Sequence, residues 1–296
     1  MTWLALVLAL FLEQMSFPAL RARLDAASVA WPRRVVDWIR QGHKSDGQRW
    51  LGLAAALLLP AVAVSAVHSL LGDFFGWFWM LLVFYAALAF SRYLRSASLL
   101  REAVEWRDEA MLAQVVATQV PQAQEVRGGP AAQALAVVLM LAQRQVLGVL
   151  AAVVVGWLLG APLFVLMVWL MAQHWQAAWA ASAEPSEAAT GSVLVQAMET
   201  AGVMLTALVL AVSGQFDAVL RAWRGGVAGA PRGPMLRLAD AAAAVLDLPE
   251  AWMTQARAVD DPEAVNVDHL MRWDAWVWRV MGVWLLVFAV LTMLSW

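Results

Sequence analysis

The chain has 296 residues, of which 62% are hydrophobic and 14% are charged, and its formal net charge at pH 7 is −2. Soluble domains average about 45–50% apolar and about 25% charged residues, so this composition excludes an ordinary soluble enzyme. The absence of cysteine excludes disulfides, thiolate zinc sites, iron–sulfur clusters and cysteine nucleophiles. The nearly neutral charge gives no basic field for nucleic acid, and no nucleic-acid partner is expected.

Six apolar stretches predict a polytopic, all-α membrane protein that forms a single integral membrane domain over residues 1–296. About 20 apolar residues cross the roughly 30 Å hydrocarbon core of a bilayer, so about five to six transmembrane helices are expected. A turn at Gly72-Asp73 joins the second and third spans, and Gly160-Ala-Pro162 kinks the fourth, which is interpreted as one long helix. The predicted spans cover residues 1–20, 51–71, 74–90, 146–171, 193–212 and 280–296.

Two apolar segments are shorter than a span. Residues 1–12 cross a membrane only if the helix continues through Glu13 and Gln14 toward Leu20. A cleaved signal peptide needs a basic first region, and no Lys or Arg precedes Arg21, so this segment is interpreted as a membrane helix. Residues 131–142 predict an in-plane or buried helix that leads into the fourth span.

The basic residues predict the orientation of the chain. All 20 Lys and Arg residues lie in three segments, residues 21–50, 91–145 and 213–279, which alternate with connections that carry none. Because cytoplasmic loops of membrane proteins are enriched in Lys and Arg, these segments are predicted to be cytoplasmic. Both termini are then periplasmic, and the protein is expected in the bacterial inner membrane. The Arg- and Trp-containing first segment indicates an amphipathic helix on the anionic cytoplasmic leaflet of the bilayer. Another membrane protein is an open alternative partner.

Few motifs in the chain carry catalytic chemistry. There is no phosphate-binding loop, nucleophile elbow or paired zinc-binding histidine, so no cofactor is expected. Asp260, Asp261, Glu263 and Asp268 form an acidic run that has the oxygen ligands preferred by Mg²⁺. The alternative, which is favoured, is a solvated turn in which Asn266 or Asp268 caps a helix.

Two carboxylates lie within predicted spans. Glu199 is seven residues into an apolar stretch, where it is either a functional intramembrane carboxylate or, if the span starts a turn later, an interfacial one. Glu13 has the same two interpretations, the interfacial one placing it beside Arg21 and Arg23. The remaining candidate polar residues, which could line a cavity under the membrane, are Arg92, Arg95, Arg144 and Asp268.

Several short motifs carry a resemblance to a known family. The most extensive places Glu199 fifteen residues before Gly214, followed by a polar helix that begins at Asp217 and includes Ala-Trp223. The others are Phe11-Leu-Glu-Gln14 at the end of the first helix, Leu88-Ala89 followed by Arg95 and Ala97, and Val267-Asp268 before the last span. With these motifs the chain resembles the CobD/CbiB superfamily of membrane proteins, and within it the AmpE-like branch.

The resemblance implies an inner-membrane, AmpE-like protein that acts in cell-wall stress signalling or β-lactamase regulation. The alternative is a diverged adenosylcobinamide-phosphate synthase of cobalamin biosynthesis. The acidic signature of those synthases is absent from the corresponding residues 135–149, so a non-catalytic role is preferred and enzymatic activity stays open. A third interpretation, suggested by Glu199, Gln196 and the kink at Gly160, is a small-solute transporter.

Overall fold

The computed structural model of the protein describes residues 2–15, 17–40, 46–119, 130–180, 188–212, 216–217, 219–220, 234–248 and 265–294. These residues form helices and no strand, which confirms the predicted all-α class. The principal helices are α1 (Thr2–Gln14), α2 (Pro18–Arg40), α3 (Asp46–Leu70), α4 (Gly72–Ala87), α5 (Phe90–Glu105), α6 (Glu109–Gln119), α7 (Pro130–Ala142), α8 (Gly148–Leu158), α9 (Pro162–Ala180), α10 (Ala188–Leu210), α11 (Pro234–Leu246) and α12 (Val267–Leu294).

Four helical segments within the described part of the chain are long and apolar enough to cross a membrane, or five if α1 and α2 together count as one bent span. At 1.5 Å per residue, the shortest of the four, with 24 residues, is about 36 Å long, which exceeds the roughly 30 Å hydrocarbon core. The protein is therefore an all-α membrane protein. The four segments are Gly47–Leu70, Gly72–Glu105, Pro130–Leu158 and Val267–Met293.

Helices α3 and α4 form the hairpin predicted at Gly72. This glycine has φ +66°, a left-handed conformation that lets the chain reverse without steric cost. Nδ1 of His68 lies 3.1 Å from the backbone oxygen of Gly76, and the indole N–H of Trp79 donates to the backbone oxygen of Val64 at 3.0 Å. A Cβ on Gly76 would lie 3.1 Å from the His68 ring, so glycine allows the two helices to approach closely.

The structure differs from the prediction of one kinked helix over residues 146–171. A π-helical turn (Gln143–Leu147) joins α7 to α8, so residues 146–158 continue an earlier helix. That helix ends at Gly160, which has φ +72° and donates its N–H to the oxygen of Trp157 at 3.0 Å. The N–H of Ala161 donates to the oxygen of Gly156 at 2.7 Å, which completes a Schellman motif. Pro162, whose missing N–H is no loss in a first turn, begins α9 as a separate helix.

The first predicted span, residues 1–20, also differs from the structure. Helix α1 ends at Gln14, and the helix that follows is bent from it by 116°. The 13 residues of α1 give a length of about 20 Å, which is too short to cross the hydrocarbon core alone. Burial accounts for part of the apolar sequence of α1, because Ala5, Leu6 and Ala9 are fully buried, whereas Leu4 and Phe11 are exposed.

The chain divides into two compact units. Unit 1 comprises residues 1–89, 149–199 and 288–296. Within it α1 packs against α4, and α9 packs against both α2 and α3. The amphipathic character predicted for the first basic segment is visible in α2, where Val35, Val36 and Ile39 are buried while the arginines at 33 and 34 are exposed.

Unit 2 comprises residues 90–148 and 200–287. Helix α7 is at its centre and packs against α5, α6 and α11. Every residue of α7 except Pro130 and Gln133 is buried. An apolar sequence on all sides is typical of a helix surrounded by other helices, so this segment is a buried helix, as one of the two predictions for it stated.

Candidate functional site

The first polar cluster lies in unit 1, at the bend between α1 and α2. Glu13, in the last turn of α1, has 2% of its side chain exposed, and its Oε1 accepts a 2.8 Å hydrogen bond from Nη1 of Arg21. Nε of Arg21 lies 3.3 Å from Oδ1 of Asp25, four residues further along α2. A buried carboxylate is tolerated when it has a partner of opposite charge. The structure thus places Glu13 beside Arg21, one of the two arginines named for it in the sequence.

Arg21 also closes the C-terminal end of α4. The last carbonyl groups of a helix have no intrahelical donor, and α4 ends at Ala87, beyond which Leu88 is extended. Nη1 of Arg21 donates to the backbone oxygens of Tyr85, at 2.7 Å, and of Leu88. Its guanidinium carbon lies 5.9 Å from the centre of the Tyr85 ring. A cation at this end is favoured by the helix dipole, so one side chain ties the α1–α2 bend to the end of α4.

The second polar cluster lies in unit 2, between α5 and α12. The hydroxyl of Tyr93, a residue with 1% exposure, donates a 2.7 Å hydrogen bond to Oδ1 of Asp274. The ring of Tyr93 stacks on Phe90 at a centroid distance of 6.2 Å, and Phe90 meets Trp278 edge-on at 4.8 Å. Buried hydroxyl groups require a partner, and here the partner is on a helix far away in sequence. The hydrogen bond and the ring contact connect α5 to α12 at this point.

The sequence analysis missed both members of this second cluster. Two signals could have found them. Tyr93 is one of only two tyrosines in the chain. Asp274 lies between Trp273 and Trp276, and an acidic residue in such an aromatic stretch requires a polar partner.

Gln143 and Thr206 are among the side chains of unit 2 whose buried polar atoms have no hydrogen-bond partner in the described part of the chain. Gln143 has 0% exposure, and neither its Oε1 nor its Nε2 has a partner; Oγ1 of Thr206 is in the same state. Gln143 begins the π-helical turn, a local widening of a helix that is frequent at functional sites. An unpaired buried amide costs about 1–3 kcal/mol. Gln143 is therefore a further candidate functional residue that was not predicted from the sequence.

The other predicted site residues do not form one group with these clusters. Glu199 is 3% exposed within α10, so its side chain is enclosed by protein. Arg144 is half-buried in the π-helical turn. Arg92, Arg95 and Asp268 are exposed. The grooves described for this chain are lined by other, mainly apolar residues.

Most residues of the predicted metal site lie outside the part of the chain that the structure describes. Asp260, Asp261 and Glu263 lie outside the described residues. Among the residues that the structure does describe, no three His, Asp or Glu side chains are grouped so as to hold a metal ion. Asn266 caps α12: its Oδ1 accepts from the N–H of His269 at 3.3 Å, and Nδ1 of His269 accepts from the N–H of Asn266 at 3.1 Å. This reciprocal arrangement is that of a capping box.

Comparison with known proteins identified no relative of the chain. No protein-family model matches the chain, and neither a curated protein nor a solved structure is significantly similar to it. The chemistry of the two clusters must therefore be interpreted from their own geometry. In both, a polar side chain forms hydrogen bonds to another helix, which is an arrangement that stabilises a bundle.

Proposed function

We propose that the protein is a non-catalytic, AmpE-like membrane protein of the bacterial inner membrane that acts in cell-wall stress signalling and β-lactamase regulation. The observation that supports a non-catalytic role is that its two best-defined polar clusters are engaged in joining helices. Glu13 is bonded to Arg21, and Tyr93 is bonded to Asp274. The link to β-lactamase rests on the sequence motifs that resemble the AmpE-like branch.

The accessibility of these groups supports the same proposal. A general acid or base must reach the proton that it transfers, directly or through one water molecule. Glu13 and Tyr93 are 2% and 1% exposed, and both already have hydrogen-bond partners. Exposed basic residues such as Arg23 and Arg33 lie on α2 instead. A surface of this kind suits contact with anionic lipid or with a protein partner.

Deletion of the gene tests the proposed role. We expect β-lactamase induction by a sub-inhibitory β-lactam to change in the deletion strain and to be restored by the wild-type chain. The exposed-site variant Asp73→Asn should restore it equally, whereas Arg21→Ala, which disrupts the first cluster, should not. Unchanged induction in the deletion strain would contradict the signalling role. A block in corrinoid salvage at aminopropanol attachment would instead support the synthase alternative.

The proposed orientation has its own test, because the natural chain contains no cysteine. Asp73 and Glu109 are both exposed and lie on opposite sides of the membrane in the proposed topology. A membrane-impermeant maleimide added to intact spheroplasts should label Asp73→Cys and should label Glu109→Cys only after lysis. The reverse labelling would contradict the proposed orientation.

A transporter is the second candidate, and the burial of Glu199 favours it. Ionisable residues inside a membrane bundle mark proton or ion pathways in many pumps and transporters. Proteoliposomes loaded with a pH-sensitive dye and given an imposed pH gradient measure proton flux directly. If the chain transports protons, Glu199→Gln should abolish the flux while Asp268→Asn retains it. Flux that is absent, or that is equal in both variants, would count against transport.

A further inference from the structure

An apolar groove in unit 1 runs between the α1–α2 bend and one face of α4. It has a volume of about 210 Å³. Its lining is hydrocarbon and aromatic, with one phenol, and consists of Leu12, Phe17, Leu20, Phe78, Leu81, Leu82 and Tyr85. An apolar cavity of about 150 Å³ is large enough for benzene. The groove therefore has room for a segment of hydrocarbon chain.

The surroundings of the groove indicate which kind of molecule can occupy it. Its α4 wall belongs to a segment long and apolar enough to cross a membrane, Gly72–Glu105. Three of the lining residues, Phe17, Leu20 and Phe78, remain 43–47% exposed. At membrane depth such a surface is in contact with lipid acyl chains rather than water. The groove is open, so a chain can enter from the bilayer.

The groove also has a charged end. From Phe78 to Tyr85 it follows α4 for about 10 Å, at 1.5 Å per residue. At its Tyr85 end lies the guanidinium of Arg21, and α2 departs there from the direction of α1 by 116°. Helix α2 contains five arginines and two aspartates, and the second of these arginines, Arg23, is exposed. Because Arg21 is paired with Glu13 and Asp25, the guanidinium of Arg23 is the group whose charge is complementary to a lipid phosphate at this end of the groove.

We propose that the groove binds one acyl chain of an anionic phospholipid, whose phosphate lies at the α2 end of the groove near Arg23. The proposal is independent of the signalling role. It assigns to the α1–α2 bend a function that the first polar cluster alone does not explain. The bend sets the groove beneath the membrane surface and the basic helix α2 at that surface.

Lipid titration of the full-length chain tests the proposal. The purified, delipidated protein in detergent is titrated with dioleoyl phosphatidylglycerol or dioleoyl phosphatidylcholine, and Tm is measured at each concentration. A ligand that binds only the folded state raises Tm. We expect phosphatidylglycerol to raise Tm at lower concentration than phosphatidylcholine.

Two variants separate the chain site from the headgroup site. Leu82→Trp fills the groove and should raise the half-saturating concentration of phosphatidylglycerol about tenfold, because packing contacts with the chain are lost. Leu58→Trp adds the same bulk at an exposed position of α3 outside the groove and should leave the response unchanged. Arg23→Gln should reduce the preference for phosphatidylglycerol about fivefold while retaining the response to phosphatidylcholine.

The lipid-free Tm of each variant reports its folding, and Leu82→Phe replaces Leu82→Trp if the larger side chain unfolds the protein. An unaltered lipid response in the folded groove-filling variant would overturn the proposal. So would an altered particle mass with an unaltered lipid response, since that result would make the groove an interface with another protein chain.

Discussion

The polar cluster of unit 1 connects residues close together in the sequence to the end of a helix, whereas that of unit 2 connects two helices far apart in the sequence. In unit 1 Arg21 contacts Glu13 only eight residues away and also binds the free carbonyls at the end of α4. In unit 2 Tyr93 and Asp274 are 181 residues apart, in α5 and α12. The first cluster stabilises a bend and a helix end, and the second is a single hydrogen bond between two helices. Disrupting the first cluster should therefore lower the free energy of unfolding by a different amount from disrupting the second.

The largest effect is expected for Arg21→Ala. The substitution leaves the Glu13 carboxylate buried without its partner and removes the donor to Tyr85 and Leu88. Loss of one member of a buried pair costs about 3–5 kcal/mol. Tm in detergent measures the loss, and the double variant with Glu13→Gln should recover part of it because no buried charge remains. A loss as small as that of an exposed arginine, measured with Arg95→Ala, would contradict the role of Arg21 at the helix ends.

The next largest loss of stability is expected for Gly156→Ala, at the turn between α8 and α9 in unit 1. A Cβ on Gly156 would lie 2.6 Å from Cα of Pro162, a backbone atom that cannot swing aside. Gly156→Ala should therefore cost about 3 kcal/mol, the upper end for overpacking. Gly282 in α12 of unit 2 has nothing within 4 Å of the corresponding position. Gly282→Ala is the matched control and should raise Tm slightly through helix propensity; similar losses at both glycines would break the comparison.

A smaller effect is expected at the second cluster. Tyr93→Phe keeps the ring stacked on Phe90 but removes the donor to Asp274, which should cost about 2 kcal/mol for a buried acceptor left unpaired. Thermal unfolding again provides the measurement. Tyr85→Phe is the control at the only other tyrosine, because the Arg21 contacts of Tyr85 use its backbone oxygen and its ring. The comparison fails if the Tyr85 variant loses as much stability as the Tyr93 variant.

The smallest effect concerns the unpaired amide of Gln143. Replacing an unsatisfied buried polar group by an apolar group of similar shape is nearly neutral or stabilising, so Gln143→Met should change the free energy of unfolding by less than about 1 kcal/mol. Thr206→Val is the parallel substitution for Oγ1 of Thr206, another buried polar atom without a partner among the described residues. A marked loss of stability in Gln143→Met would reveal that its amide binds a ligand or water in the folded protein.

Local features of the fold could be predicted from the sequence. The hairpin at Gly72 was predictable because glycine is one of few residues that adopt a left-handed turn without strain. Burial of residues 131–142 followed from their apolar character, which only the half-buried Gln133 interrupts. The pairing of Glu13 with Arg21 was within reach because the two residues are eight positions apart.

Other features depend on tertiary contacts that no local pattern encodes. Residues 131–142 were predicted to form a helix distinct from the fourth span, yet a π-helical turn at Gln143–Leu147 continues the helix into α8. The Gly160 region was interpreted as a kink, but a left-handed glycine followed by proline ends the helix. Recognition of the Tyr93–Asp274 contact required knowledge of which distant helices are adjacent.

The bonds of Arg21 also constrain the order in which the protein assembles during synthesis. Glu13 and Asp25 leave the ribosome within a few residues of Arg21, but the backbone oxygens of Tyr85 and Leu88 follow 64 and 67 residues later. At about 5–20 residues per second, that interval lasts about 3–13 s. During this time the carboxylates of Glu13 and Asp25 are the only partners in the cluster that have been synthesised. The bend between α1 and α2 can therefore form before α4, whose end Arg21 caps, has been made.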